Sequence, residues 1–401
     1  VSGNDGGVMT TRAPIEPDSR DAWISAGGTA LANGLAFGTT YTFGTFFGAM
    51  ADEFDADKSS TALVFGLTLL LFFGFGAVSG PISDRIGGRR LLLVGTAVTA
   101  LGLVLTSSVS DLRLGYFTYA LVGLGGGIFI APLTAGAGAM FERKRASALG
   151  LIAVGNGVGT LTLVPISEWL IRTQGWRSGM RFLALIGFVG CLLAWLLVRD
   201  PQRPQGSRTT QRQLRNEPGF VRVFIALVLM SISLFPAFTF IVDFAVDNGI
   251  NETSAARIFA LVGLSSIVGR LALTSLAGRV GALRVVQVAI GLQPVSYLLW
   301  LFAGESVGGL IAFALLLGTV YGGFVALIPE VAIVLFGTEG LGRMMGIMFL
   351  SFGVGGLIGP PVMGAIADSD GQRPAIIAII AVAVVATMIL LTVQRPAPSP
   401  R

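Results

Sequence analysis

The sequence predicts an all-α membrane protein: twelve transmembrane helices in two pseudo-symmetric six-helix bundles, with both termini cytoplasmic. Three observations predict it. First, 53% of the 401 residues are hydrophobic and 12% are charged, with mean hydropathy +0.79, whereas soluble domains carry about 25% charged residues. Second, the apolar residues gather into runs near the ~20 residues that a helix needs to cross the hydrocarbon core. Third, the first six runs and the last six repeat one another in order.

The runs of the first half lie near Trp23–Met50, Ser59–Gly80, Leu91–Ser110, Leu114–Met140, Ala146–Ile171 and Gly179–Val198. Those of the second half lie near Phe220–Val246, Ser254–Gly278, Ala282–Ala303, Gly308–Phe336, Leu341–Ile366 and Pro374–Val393. Alternate loops hold most of the bases, among them Arg85, Arg89 and Arg90, Arg143 to Arg145, Arg279, Arg284 and Arg343. The other loops hold mainly acids, such as Asp52, Glu53, Asp247, Glu252 and Asp368, with Arg172, Arg177 and Arg181 as their main exception. The positive-inside rule therefore puts the basic loops in the cytoplasm. The polar stretch Arg199–Pro218 reads as a basic linker. The expected organisation is a cytoplasmic tail (1–21), a six-helix bundle (22–198), a cytoplasmic linker (199–218), a second six-helix bundle (219–394) and a C-terminal tail (395–401). The first tail is polar, holds Pro14 and Pro17, and lacks a signal-peptide core.

The repeat is positional. Gly150, Gly157, Gly159 and Pro165 of the fifth run recur at one offset as Gly346, Gly353, Gly355 and Pro361 of the eleventh. Gly126-Gly127 recurs as Gly322-Gly323, and Thr42-Phe43 as Thr239-Phe240. Coincidence among glycines could produce one such pair but not the ordered set, which argues for duplication of a six-helix unit.

Composition also excludes chemistry. The chain has no His and a single Cys, Cys191. Ser-His-Asp and Cys-His catalysis, His-ligated metals and intrachain disulfides are out of reach. No cofactor is expected. No basic-aromatic motif marks nucleic-acid binding. The glycine runs follow no strand and lie inside apolar segments, so helix packing explains them better than a phosphate loop does.

One charge stands out. Arg270 falls near the middle of the otherwise uncharged run Ile258–Gly278. A cation at the bilayer centre costs roughly 2.5–3.5 kcal/mol on insertion scales, so it tends to face a polar cavity or a partner. It reads as the anchor for an anionic substrate. The alternative is an Arg held by backbone carbonyls or a buried acid. Further polar residues within the runs include Asn33, Tyr41, Tyr119, Asn156, Ser265, Ser266 and Tyr321. Asn156 reads as an interhelical hydrogen bonder. Phe240 and Phe352 are candidate apolar walls. Three acids are embedded: Glu168, Asp243 and Glu330. Asp243 and Glu330 are candidates for proton coupling, and Glu168, one turn before Arg172, reads as a surface ion pair.

Two motifs carry a family resemblance. Gly80-Pro-Ile-Ser-Asp84-Arg85-Ile-Gly87-Gly88-Arg89-Arg90 resembles the loop signature of the major facilitator superfamily. Its physics suits a cytoplasmic gate: Asp84 at a helix end can pair with arginines such as Arg85 and Arg89 and with the N-terminus of another helix. Met140-Phe141-Glu-Arg143-Lys144-Arg145, running into Gly155-Asn156-Gly157, resembles the entry to the fifth helix of the monocarboxylate transporter family, bacterial or archaeal in type and related to oxalate/formate exchangers. Asn33-Gly34, Thr42 to Phe47, Asp247-Asn-Gly-Ile250 and Gly269-Arg270 agree with it.

The resemblance implies the major facilitator fold. It also implies a substrate site on Arg270, with Tyr119 and Tyr321 as hydrogen-bonding phenols and Asn33, Tyr41, Ser266 and Phe352 as further lining. Departures narrow it. Animal members carry a lysine where Tyr41 stands and an Asp where Ser266 stands, and oxalate exchangers carry a second cation in helix eleven, where Met344–Met363 has none. One buried cation suits one carboxylate. The expected function is secondary transport of a small monocarboxylate, lactate- or pyruvate-like, across the plasma membrane by alternating access and with a proton; anion exchange is the runner-up, and drug efflux or a non-transporting sensor follow. Expected partners are a small organic anion, H+ and the lipid bilayer, with no nucleic acid; an accessory subunit is left open.

Overall fold

A computed structural model describes residues 16–200, 219–304, 306–336 and 341–394, without the side chains of residues 77, 84, 146 and 341–343. Most of the expected linker and both outer tails therefore lie outside the described residues. Ten helices are each long and apolar enough to cross a bilayer: α5 (Gly88–Thr106), α6 (Leu112–Ala139), α7 (Arg145–Gln174), α8 (Trp176–Leu197), α9 (Phe220–Asp247), α10 (Glu252–Val280), α11 (Ala282–Ala303), α12 (Val307–Phe336), α13 (Leu341–Asp370) and α14 (Gln372–Leu391). Four helices precede them and join end to end in pairs: α1 (Arg20–Tyr41) with α2 (Phe43–Glu53), and α3 (Lys58–Gly74) with α4 (Gly76–Ile86).

The first two spans are thus broken where unbroken runs were expected, and each break has a local cause. Thr42 donates its hydroxyl to the Thr39 carbonyl at 2.7 Å, and Thr45 does the same to Thr42 at 2.7 Å. Such i−3 bonds draw backbone acceptors out of the α ladder. In the second span Val78 N bonds Phe75 O three residues back at 2.9 Å, and Pro81 supplies no amide to the preceding turn.

Lipid offers no hydrophobic drive between helices, so close backbone approach holds the bundle. The α1–α7 seam shows how. A Cβ on Gly34 would stand 2.6 Å from the Gly155 carbonyl oxygen, and Gly38 meets Gly159 O at the same distance. In the second half α10 packs on α12 in the same manner, with Gly269 and Gly322 pressed against the facing backbones. The first six spans touch the last six through α3 on α13, α7 on α10 and α2 on α9. Toward the basic-loop end a Cβ on Gly80, Gly150 or Gly278 would meet nothing within 4 Å.

At that same end the chain before α1 folds back on α7. Asp18, at φ 57°, accepts the Arg143 and Lys144 amides at 3.1 and 3.0 Å, and Trp23 packs edge-on against Phe141 with centroids 5.0 Å apart. The Arg143 amide, then that of Lys144, holds the Asp18 carboxyl below the ordinary carboxylate range, against partial desolvation.

Two outcomes follow. Gly34→Val should lower the melting temperature of the purified protein, by about 1–3 kcal/mol of overpacking; an unchanged melt would contradict the α1–α7 packing. Asp18 has a depressed folded-state pKa, so its contribution is complete above the unfolded pKa and is lost as pH falls through the folded one. The stability gap between the parent and Asp18→Asn should therefore be constant from neutral pH down to the ordinary aspartate range and close only below it. A gap that closes near pH 6 would reject the assignment.

Candidate functional site

Helical spacing builds one wall. Val262, Gly263, Ser266 and Arg270 follow one another at steps of one, three and four residues, which places them along one face of α10. Opposite stand Asn156 and Thr160 of α7, Tyr41 of α1, Phe238 of α9 and Tyr321 of α12. Together they line a narrow cleft on the seam between the two halves. Small residues bring the walls together: a Cβ on Gly157 would stand 2.8 Å from Gly263 O, and one on Gly263 2.8 Å from Gly157 O.

Arg270 is 3% exposed. Its Nη1 donates to the Ala153 carbonyl of α7, across the seam, while its buried Nε–H has no acceptor. Its Cζ lies 6.0 Å from the Tyr321 ring centroid, within cation–π range. Backbone support therefore satisfies part of the guanidinium and leaves a donor over. No Asp, Glu or Lys lines the cleft, so among the described residues the guanidinium is its single formal charge.

Tyr41 and Tyr321 bring their hydroxyls to 2.9 Å, again across the seam. Phe238 packs against both rings, 4.8 Å from Tyr41 and 5.3 Å from Tyr321. The chain direction places this aromatic trio on the outer side of Arg270. Tyr41 follows most of α1, whereas Arg270 lies nearer the inner end of α10. The Ser266 hydroxyl turns back to Gly263 O at 2.8 Å.

The cleft thus gathers Arg270, Tyr41, Tyr321 and Ser266 of the expected residues. Others stand elsewhere. Asn33 donates to Thr134 Oγ1 at 2.9 Å, between α1 and α6. Tyr119 is wholly buried with its ring 5.2 Å from Phe43. Phe352 sits among Phe73, Phe349 and Phe324 at 5.4, 6.1 and 6.3 Å. Asp243 pairs with Lys58 at 2.5 Å at the outer end, and Glu330 is exposed. Glu168, read as a surface pair, is buried: it accepts from Thr253 of the other half at 2.9 Å, with Arg172 Nε at 3.8 Å. Arg85 is exposed. Arg89 stays within the first half, donating Nε–H to Trp195 O at 3.1 Å and its amide to Asp200 at 3.0 Å. The Asp84 side chain lies outside the described residues.

Thr160, Phe238, Val262 and Gly263 were not singled out from the sequence. The i, i+3/i+4 spacing that ends on Arg270 was the available signal for Val262 and Gly263; nothing local marked Phe238.

The family model of the Major Facilitator Superfamily matches residues 29–332 and 223–401. Monocarboxylate transporter 3 of Rattus norvegicus is 31% identical over 373 residues, covering 88% of this chain and 75% of the relative. The chain belongs to the monocarboxylate transporter family. Monocarboxylate transporter 11 of Homo sapiens is 29% identical over 381 residues, covering 91% of this chain and 81% of that one. Among solved structures, a bacterial homologue of the human lysosomal transporter Spinster, inward-facing and unoccupied, superposes with TM-score 0.76 at 13% identity, covering 93% of this chain and 97% of that chain. The nucleoside transporter NupG, as a mutant, gives TM-score 0.75 at 14% identity, covering 93% and 99%. These structures share the fold. As a monocarboxylate transporter family member the chain is a multi-pass membrane transporter and not an enzyme.

The cross-seam phenol pair is testable in this family member without transport. A double-mutant cycle of Tyr41→Phe and Tyr321→Phe, read by thermal unfolding in detergent, should show a coupling of about 0.5–1.5 kcal/mol. Strict additivity would mean that the hydroxyls do not bond.

Proposed function

We propose that this transporter is a secondary carrier for a small monocarboxylate, lactate- or pyruvate-like, in the plasma membrane. The two six-helix halves rock about the midplane cleft and expose it to each side in turn. Arg270 grips the carboxylate, and Tyr41, Tyr321 and Ser266 line the pocket beside it. The observation that carries the reading is the buried Nε–H of Arg270 without an acceptor, in a cleft that holds no other formal charge. One carboxylate neutralises one guanidinium; a dianion would leave a charge unpaired in a low dielectric. The names of the relatives support the same substrate class. Phe238 and Val262 supply an apolar wall suited to a short carbon chain.

A proton travelling with the anion makes the cycle electrically silent, so the membrane potential does not oppose it. The candidates Asp243 and Glu330 both stand away from the cleft. The lack of an acid around Arg270 favours the second reading, exchange of one organic anion for another, in which the guanidinium crosses paired in both directions.

Purified protein in proteoliposomes should take up labelled lactate, and an inward proton gradient should raise the rate. Stimulation by preloaded internal anion alone would select exchange. Arg270→Lys should cut uptake about tenfold or more, because an ammonium cannot reproduce the planar two-donor fork. Parental uptake in that variant would remove Arg270 from the role.

A further inference from the structure

The outer ends of three helices meet in an arrangement that helix dipoles alone disfavour. Asp243 and Asp247 lie in the last turns of α9, and Asp368 lies in the last turn of α13. An acid there faces the negative end of its own helix. All three are answered from the other half, by the first turn of α3. Lys58 Nζ reaches Asp243 at 2.5 Å and Asp247 at 2.8 Å. The Asp368 carboxylate accepts the amides of Lys58 and Ser59, both at 3.1 Å, and so caps the positive end of α3. Gln372 adds a bond to Asp247 at 2.6 Å. The backbones come close enough for this because residue 364 is Gly: a Cβ there would stand 2.7 Å from Ser59 Cα.

The α3–α4 span and α13 run antiparallel and touch again near mid-membrane, where a Cβ on Gly66 would lie 3.1 Å from Gly356 O. The contact continues inward, where a Cβ on Gly353 would lie 3.2 Å from Leu70 Cα. The outer ends are closed by the side-chain bonds just described. Asp84 occupies in α4 the same sequence position that Asp368 occupies in α13, the last turn of the helix.

We propose that Asp368, Asp243 and Asp247 closing on Lys58 and the first turn of α3 form an outer latch, the counterpart of the cytoplasmic Gly80–Arg90 loop at the opposite end of the same helix pair. It rests on the alternating-access reading above. Release leaves three carboxylates at the unfavourable ends of their own helices. The latch therefore biases the carrier against opening outward, and each cycle makes and breaks it.

The test reads opening directly and needs no substrate. Phe240 packs against Phe47 across the seam, 5.0 Å between centroids, two turns inward of Asp247. Phe240→Cys in a Cys191→Ser background, in outside-out vesicles, reports outer opening by its labelling with a membrane-impermeant maleimide. Lys58→Met and Asp368→Asn should each raise the labelling rate about two- to fivefold. The charge swap Lys58→Asp with Asp243→Lys should return it toward the parent. Labelling is read on the monodisperse fraction, and Asp247→Asn supplies a milder lesion if another variant aggregates. Parental labelling in the single variants would overturn the latch. So would an equal rise in Asp370→Asn, whose carboxylate bonds only its neighbour Ser369 among the described residues. Because the readout involves neither Arg270 nor any transported anion, it stands or falls apart from the substrate assignment.

Discussion

A guanidinium without water has to be held by what surrounds it, and much of this molecule can be understood from how little surrounds Arg270. One backbone carbonyl from the facing half takes one of its donors, and an aromatic face lies within cation–π range. No carboxylate neutralises it within the cleft. Continuum arguments make such a charge costly and make an arriving anion correspondingly welcome. The charge also sits on the seam, so whatever binds it is seen by both halves at once. On the proposed reading, binding at this seam is what would let occupancy bias one arrangement of the halves over another.

The packing that keeps the seam tight is built from absent side chains. Gly157 and Gly263 let α7 and α10 touch and Gly364 admits the first turn of α3, while within the first half Gly34 and Gly155 let α1 and α7 touch. Each contact brings two helix backbones closer than a Cβ would allow, which is how helices associate where lipid supplies no hydrophobic drive.

Much of this was legible in the sequence, and the illegible part has a physical explanation. Spans, orientation and duplication are one-dimensional signals of hydropathy and charge, and Arg270 announces itself by being charged where charge is costly. Rotation about a helix axis is not written so plainly. Tyr119 and Asn33 lie on spans expected to line the path but face neighbours within their own half. Phe352 belongs to an aromatic cluster, and Phe238, which does line the cleft, looks like any other Phe of its span. The break at Thr42 was hidden because a threonine in an apolar run reads as helix until its hydroxyl chooses the i−3 carbonyl. Nothing near Lys58 in the sequence marks its role, because its partners lie 185 and 189 residues away, beyond any local pattern.

The bond between Tyr41 and Tyr321 has a further consequence. Two phenols joined by one hydrogen bond always leave one hydrogen unspent. If Tyr41 donates, the spare hydrogen belongs to Tyr321, whose ring lies beside the guanidinium; if Tyr321 donates, it belongs to Tyr41. Exchanging the two arrangements needs only torsion about two C–O bonds, with no ring displaced. The buried, aromatic heart of the seam therefore holds a reversible polarity, set by which phenol donates.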